Sequence, residues 1–185
     1  MDGKDIINNK AVERKIQQID NDFDLVMISE DFDASIVLLS NLLCWPLANM
    51  TSLKINERKK SRVMKLSRKS RKMLKEWLWA DYMLYEYFKK ELVRKKTLFG
   101  VDKIEKEVYK LKELNRNLSS ECVLNVVENT NDLKVEYVHS SQHVLLFKVN
   151  ESNVMCKYYG ITETHFINYL REIQIKRHHQ WRLKT

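Results

Sequence analysis

Phe23 to Trp45 reads FDLVMISEDFDASIVLLSNLLCW. Phe23–Ile28 is an apolar run too short for a helix and with the composition of a buried strand. Ser29 and Asp31 then offer helix N-caps, and Asp33 puts negative charge in the first turn, where the helix dipole favours it. Ile36, Val37, Leu38, Leu39, Leu42 and Leu43 supply the apolar face and body of that helix. It must stop before Pro46, because the residue ahead of a proline avoids the helical region. Block 23–45 is therefore expected to be a strand–loop–helix unit, as in an α/β layer.

On the N-terminal side, Ile6, Ile7, Val12, Ile16 and Ile19 recur near helical spacing between Lys4 and Asp20 and predict an amphipathic helix. On the C-terminal side, Thr51–Asn56 (TSLKIN) reads as a short strand, and 57–118 as a helical region. Its first part, Glu57–Lys75, is strongly basic, and Trp77–Phe88 (WLWADYMLYEYF) is rich in aromatics. There Trp77, Ala80/Asp81, Leu84, Tyr85 and Phe88 share one helical face. Gly100 reads as a C-cap ahead of a helix over Val101–Leu118, striped by Ile104, Val108, Leu111 and Leu114/Leu118. Residues 119–160 form a variable strand and loop region, in which Leu133–Tyr137 and His143–Val149 either pair as a hairpin or belong to a long irregular loop. A final helix over 162–178 starts at Thr162 as its cap, with Phe166, Ile167, Leu170 and Ile173 as its apolar positions.

A chain of 185 residues fits one domain and is long enough to bury a core. Its 44% hydrophobic and 31% charged residues exclude disorder as the general state. With 3 glycines and 1 proline, punctuation is sparse and long helices follow. The formal net charge of +8 attracts polyanions without choosing among nucleic acid, anionic lipid and phosphorylated or sulfated molecules. No apolar stretch is long enough to span a bilayer, the N-terminus lacks a signal-peptide core, and the sequence read alone suggests the cytosol.

The basic run beside aromatics has the ingredients of a nucleic-acid surface. The aromatics, however, follow a helical stripe with Leu and Met between them, which fits a core, so no nucleic-acid partner is expected. Gly3, Gly100 and Gly160 are the only glycines, none between a strand and a helix, so no phosphate-cradling loop is legible. Glu30, Asp31 and Asp33 sit at the carboxyl end of the expected strand, where ligands bind in open α/β sheets. A carboxylate there is suited to a sugar hydroxyl; capping explains Asp31 and Asp33, which leaves Glu30. The five histidines show no metal or catalytic spacing, and no metal site is expected. Cys44, Cys122 and Cys156 fit either three buried thiols or one disulfide plus one thiol. Sequons stand at Asn49, Asn117 and Asn150 and acquire meaning only in the secretory pathway.

The strand–helix block resembles the galactose 3-O-sulfotransferase family, whose hallmark runs roughly LV-I-E-FDESLVLL-LLCW. Here it stands as Leu25-Val26, Ile28, Glu30, Phe32-Asp33-Ala34-Ser35-Ile36-Val37-Leu38-Leu39 and Leu42-Leu43-Cys44-Trp45. Ala34 replaces the usual Glu, and Asp31 stands where an aromatic is common. Leu53–Asn56 is similar to the family's FKLN segment, and Trp77 through Asp81, Leu84, Tyr85 and Phe88 to its W–LD–LY–HF helix. Cys122 and Cys156 stand where the family has two late cysteines.

The resemblance implies a P-loop-like α/β sulfotransferase fold, of which residues 1–185 would be the mainly α-helical C-terminal part with a few short strands. It implies transfer of a sulfuryl group from 3′-phosphoadenylyl sulfate to the 3-hydroxyl of galactose on a glycolipid or glycan. The donor's phosphate sites and a type II Golgi membrane anchor would precede this part, so the chain alone is expected to be inactive. It reverses the compartment to the Golgi lumen, where glycosylation at the three sequons and a Cys122–Cys156 disulfide are expected. Glu30 and then Asn56 are the expected acceptor-cleft residues, with Glu30 also the candidate catalytic base. A basic helical interaction module and a non-catalytic sulfotransferase relative are the alternatives.

Overall fold

The computed structural model describes residues 9–54, 65–127 and 146–182. Among the described residues, seven helices occur in chain order with two strands: α1 (Asn9–Asp22), α2 (Phe32–Leu42), α3 (Arg68–Trp77), α4 (Trp79–Phe99), α5 (Val101–Cys122), β1 (Val123–Val127), β2 (Leu146–Val149), α6 (Val154–Gly160) and α7 (Glu163–Arg182). One-turn 3-10 helices stand at Ser29–Asp31 and Leu47–Met50. The chain divides into two compact units, one of residues 1–50 and 64–113, the other of 51–63 and 114–185.

The first unit is helical. Ile16 of α1, Ile28, Val37 and Leu38 of α2, Phe88 and Leu92 of α4, and Ile104 and Leu111 of α5 form its buried core. Val12 and Ile19 flank Ile16, and Val108 lies between Ile104 and Leu111, so these positions of the expected stripes pack here; Ile6 and Ile7 lie outside the described residues. The Tyr87 hydroxyl ties α4 to α1, donating to Asp20 at 2.8 Å and accepting from Gln17 at 3.2 Å. Gly100 closes α4 with φ +101, its N–H donating to the Lys96 and Thr97 carbonyls. Glycine adopts this left-handed backbone without the steric penalty other residues meet.

Phe23–Ile28 is not a strand. Among the described residues no ladder reaches it, because the two strands pair with each other. Ile28 has extended dihedrals, yet its buried N–H donates to the Ser35 hydroxyl of α2 at 3.2 Å, and its carbonyl accepts from Asp31. A side chain thus takes the place of a neighbouring strand. The helix also ends earlier than Pro46 requires: α2 stops at Leu42, Cys44 takes a left-handed φ of +53, and Ser40 donates to the Trp45 carbonyl. Ala34, Ser35, Val37, Leu38 and Ser40 are buried, whereas Leu42 and Leu43, expected on the apolar face, are exposed. Trp77 is also corrected: at 78% exposed it belongs to no core stripe, because a break at Leu78 separates α3 from α4.

In the second unit β1 and β2 run antiparallel, with Val127 opposite Leu146, Val126 opposite Phe147 and an irregularity between Val123 and Asn125. Of the expected hairpin, only the 146–149 part of the second run is described. β2 falls within the predicted 143–149 run, but it pairs with Val123–Val127; Leu133–Tyr137 lies outside the described residues. Thr51–Lys54 forms no strand, and Leu53 packs on the Cys122–Cys156 disulfide. The two disulfide cysteines are fully buried and 34 residues apart. A loop of that length restricts the unfolded chain by about 3–4 kcal/mol in the chain-entropy account. Asn153 caps α6, accepting from the Met155 and Cys156 amides, and its amide group donates to Glu121. Gly160 ends α6 against β2, where an added Cβ would lie 2.5 Å from Val149 Cγ1.

Two substitutions test these joints. Ser35→Ala leaves the buried Ile28 N–H without its partner and is expected to lower unfolding free energy by about 1–3 kcal/mol in urea denaturation. Gly160→Ala is expected to destabilise by about 1–3 kcal/mol through overpacking, and a second change, Val149→Ala, should recover part of that loss by opening the space; equal loss in the double variant would reject the steric explanation.

Candidate functional site

Glu30 occupies the one-turn 3-10 helix between the extended segment and α2. The Ser29 hydroxyl donates to its Oε2 at 3.0 Å. Its own backbone amide is the main influence holding the carboxyl below the usual glutamate range; the Ser29 hydroxyl adds to this, burial opposes it, and the Tyr85 hydroxyl and the Lys89 charge lower it further. Tyr85 and Lys89 lie one turn apart on α4, with the Lys89 ammonium 5.5 Å from the Tyr85 ring centroid. The exposed Glu30 carboxylate thus feels a phenol hydroxyl and an ammonium of α4 beside the start of α2. Together these groups can accept from and donate to a polyol.

The neighbouring carboxylates are occupied differently. Asp31 stands at the N-cap position of α2, but its side chain makes no capping bond; it accepts from Lys96 at 2.6 Å. Asp33 lies 3.7 Å from Lys112. Capping therefore does not describe Asp31: α4 supplies a cation at hydrogen-bonding distance, and a charged partner outcompetes local amides. Asp81 is exposed on the first turn of α4.

Asn56, the other expected cleft residue, lies outside the described residues. Asn49 is exposed in the Leu47–Met50 turn, and Asn117 is exposed on α5. Asn150 follows β2, its N–H donating to the Cys122 carbonyl and its side chain accepting from the Ser152 amide. Cys44 is an exposed free thiol. Among the described residues, no group of three or more His, Cys, Asp or Glu could hold a metal ion. The described glycines do not fit a phosphosulfate cradle either: Gly100 joins two helices, and Gly160 is bare because Val149 fills its space.

Sequence reasoning singled out Glu30 but missed Tyr85 and Lys89 as its neighbours, and Lys96 and Lys112 as partners of the two aspartates. The i, i+4 spacing of Tyr85 and Lys89 shows that they share a face; only the packing of α4 on the α2 segment shows what that face meets. An open cleft of about 460 Å³ elsewhere in the first unit includes Asn41, Leu42, Arg94, Lys95 and Lys103 in its lining, but not Glu30. Arg94 and Lys95 both pair with Glu91 there, which offsets part of their charge.

A depressed carboxyl is a weak proton acceptor at neutral pH, so this environment equips Glu30 to hold a hydroxyl hydrogen bond more than to abstract its proton. Because the folded pKa lies below the unfolded one, any stabilisation from the ionised carboxylate is complete above the ordinary glutamate range and disappears as pH falls through the lowered value. In an NMR titration, Glu30 should show its midpoint below the ordinary value of about 4.3. Ser29→Ala and Tyr85→Phe should each move it upward; an unmoved midpoint would reject these hydroxyls as causes.

The galactose-3-O-sulfotransferase family profile matches residues 3–144. The chain is 34% identical to galactosylceramide sulfotransferase of Mus musculus over 112 residues, covering 60% of this chain and 26% of that protein. It is 34% identical to the Homo sapiens protein of that name over 116 residues, covering 63% of this chain and 27% of that protein. It is 33% identical to galactose-3-O-sulfotransferase 2 of Sus scrofa over 113 residues, covering 60% of this chain and 28% of that protein. The chain thus spans about a quarter of the length of these relatives. No solved structure matches it significantly. With a profile match across well over half its residues, the chain belongs to the galactose-3-O-sulfotransferase family.

Proposed function

We propose that this chain supplies acceptor-side structure to a galactose 3-O-sulfotransferase acting in the Golgi lumen. The reaction class is transfer of a sulfuryl group from 3′-phosphoadenylyl sulfate to the 3-hydroxyl of galactose on a glycolipid or glycan. The observation that carries this reading is the family match over residues 3–144, which includes the whole of Leu25–Trp45. None of the described residues is assigned to the donor, whose phosphosulfate needs backbone donors and fixed positive charge.

On this reading, the Phe23–Ile28 segment, which forms no strand here, lies along the sheet of the longer enzyme. Its extended Ile28 and the exposed Phe23, Leu42, Leu43 and Trp45 around it support that placement. Glu30 accepts a galactose hydroxyl as a hydrogen-bond acceptor, with Tyr85 and Lys89 as the donors beside it. Glycosylation at the exposed Asn49 and Asn117, and at Asn150, goes with the same compartment, as does the buried disulfide.

The purified chain is to be titrated with methyl β-galactoside while the Glu30, Tyr85 and Lys89 resonances are followed. Shifts at all three are expected, and Glu30→Gln should weaken binding about tenfold or more, as for loss of a charged hydrogen bond. Absent shifts, or affinity unchanged by Glu30→Gln, would remove Glu30 from the acceptor site. Calorimetry with 3′-phosphoadenosine 5′-phosphate should show no micromolar binding to this chain; micromolar binding would place the donor site within it.

A further inference from the structure

Helix α3 plays no part in the acceptor reading. No residue in it is buried. Met73 is 59% and Trp77 78% exposed, one turn apart on a common face, with exposed Leu66 just ahead of the helix and Leu78 just after it. At 3.6 residues per turn, Arg68, Arg71, Lys72 and Lys75 fall on the opposite side, whereas Lys69 stands one turn before Met73 on the apolar side. From Lys65 to Trp77 six cations stand against a single acid, Glu76, which lies 3.9 Å from Lys72. The Ser67 hydroxyl caps the helix by accepting from the Ser70 amide, so this short element has its own start signal.

A cationic face alone suffices for a soluble polyanion, and then nothing accounts for Met73 and Trp77 in water on the other face. An interface with an anionic surface over an apolar interior uses both faces at once. We propose that α3 is an interfacial helix that docks this chain onto bilayers containing anionic lipid, with Met73 and Trp77 entering the acyl boundary and the cations contacting the headgroups. Among the described residues no helix is long and apolar enough to cross a membrane, so α3 lies on the surface. The sum of cations explains the attraction, and the Met73–Trp77 pair explains why the occupant is a bilayer.

The test is flotation of the full chain with phosphatidylcholine vesicles, with and without phosphatidylglycerol, at low and high salt. Binding is expected with phosphatidylglycerol and should weaken as salt rises. The double variant M73S/W77S should lower partitioning about tenfold or more through lost apolar burial, while retention on heparin stays unchanged. K69A/K72A should lower both, by about fivefold per charge. As a check without loss of binding, tryptophan emission should shift to the blue on anionic vesicles and lose that shift in W77F. No binding to phosphatidylglycerol vesicles overturns the proposal, and so does partitioning that M73S/W77S leaves intact. Heparin retention with no vesicle binding assigns α3 to soluble polyanions instead.

Discussion

The first unit depends on one buried hydrogen bond, from the Ile28 amide to the Ser35 hydroxyl. An extended apolar segment brings backbone donors inside, and a buried amide without a partner costs more than most single packing contacts contribute. Ser35 is fully buried and otherwise surrounded by apolar residues of α2, where a hydroxyl has no reason to be unless something accepts or donates there. Its bond fixes how far Ile28 sits from α2. With Ile28 placed, Val37, Leu38, Phe88 and Leu92 close on it as one core. The hydroxyl therefore sets the distance, and the apolar residues supply the stabilisation.

The same joint places the carboxylates. Because Ile28 is pinned, the 3-10 turn that follows and the first turn of α2 project Glu30, Asp31 and Asp33 toward α4 and α5 of this unit. Each finds a cation or a hydroxyl: Lys89 and Tyr85 for Glu30, Lys96 for Asp31, Lys112 for Asp33. Exposed pairs of this kind add little stability individually. Their effect is on chemistry. Asp31 is engaged by its lysine at hydrogen-bonding distance, whereas Glu30 is exposed and meets neutral hydroxyls as well as charge. Of the three, it has the most freedom to exchange a neighbour for a ligand.

Much of this was legible in the sequence where the signal is local. The stripes of α1 and α5, the glycine closing α4 and the helix after Thr162 each follow from residues within a few turns of one another. What failed was nonlocal. FDLVMI has the composition of a strand, but a strand needs a neighbour, and composition does not say whether one is present. VLNVV lacks clean alternation, so its pairing with β2 is not legible in the sequence. Glu30 was found from its position between segments; Tyr85 and Lys89 were not, because only the packing of α4 brings them to it. Cys122 and Cys156 were ambiguous from spacing alone and were paired by likeness to a family.

Trp77 shows how a correct pattern misleads about its purpose. Its spacing to Leu84 and Phe88 fits one helical face, yet the break at Leu78 divides that face between two helices. α4 buries its share in the core; α3 keeps its share in water beside a row of cations. Large apolar side chains left exposed next to concentrated positive charge raise the hazard of association. That arrangement is understandable when a surface of opposite charge and apolar depth covers it, and the physical distinction between a bilayer and a soluble polyanion then rests on Met73 and Trp77 alone, because the cations serve both equally.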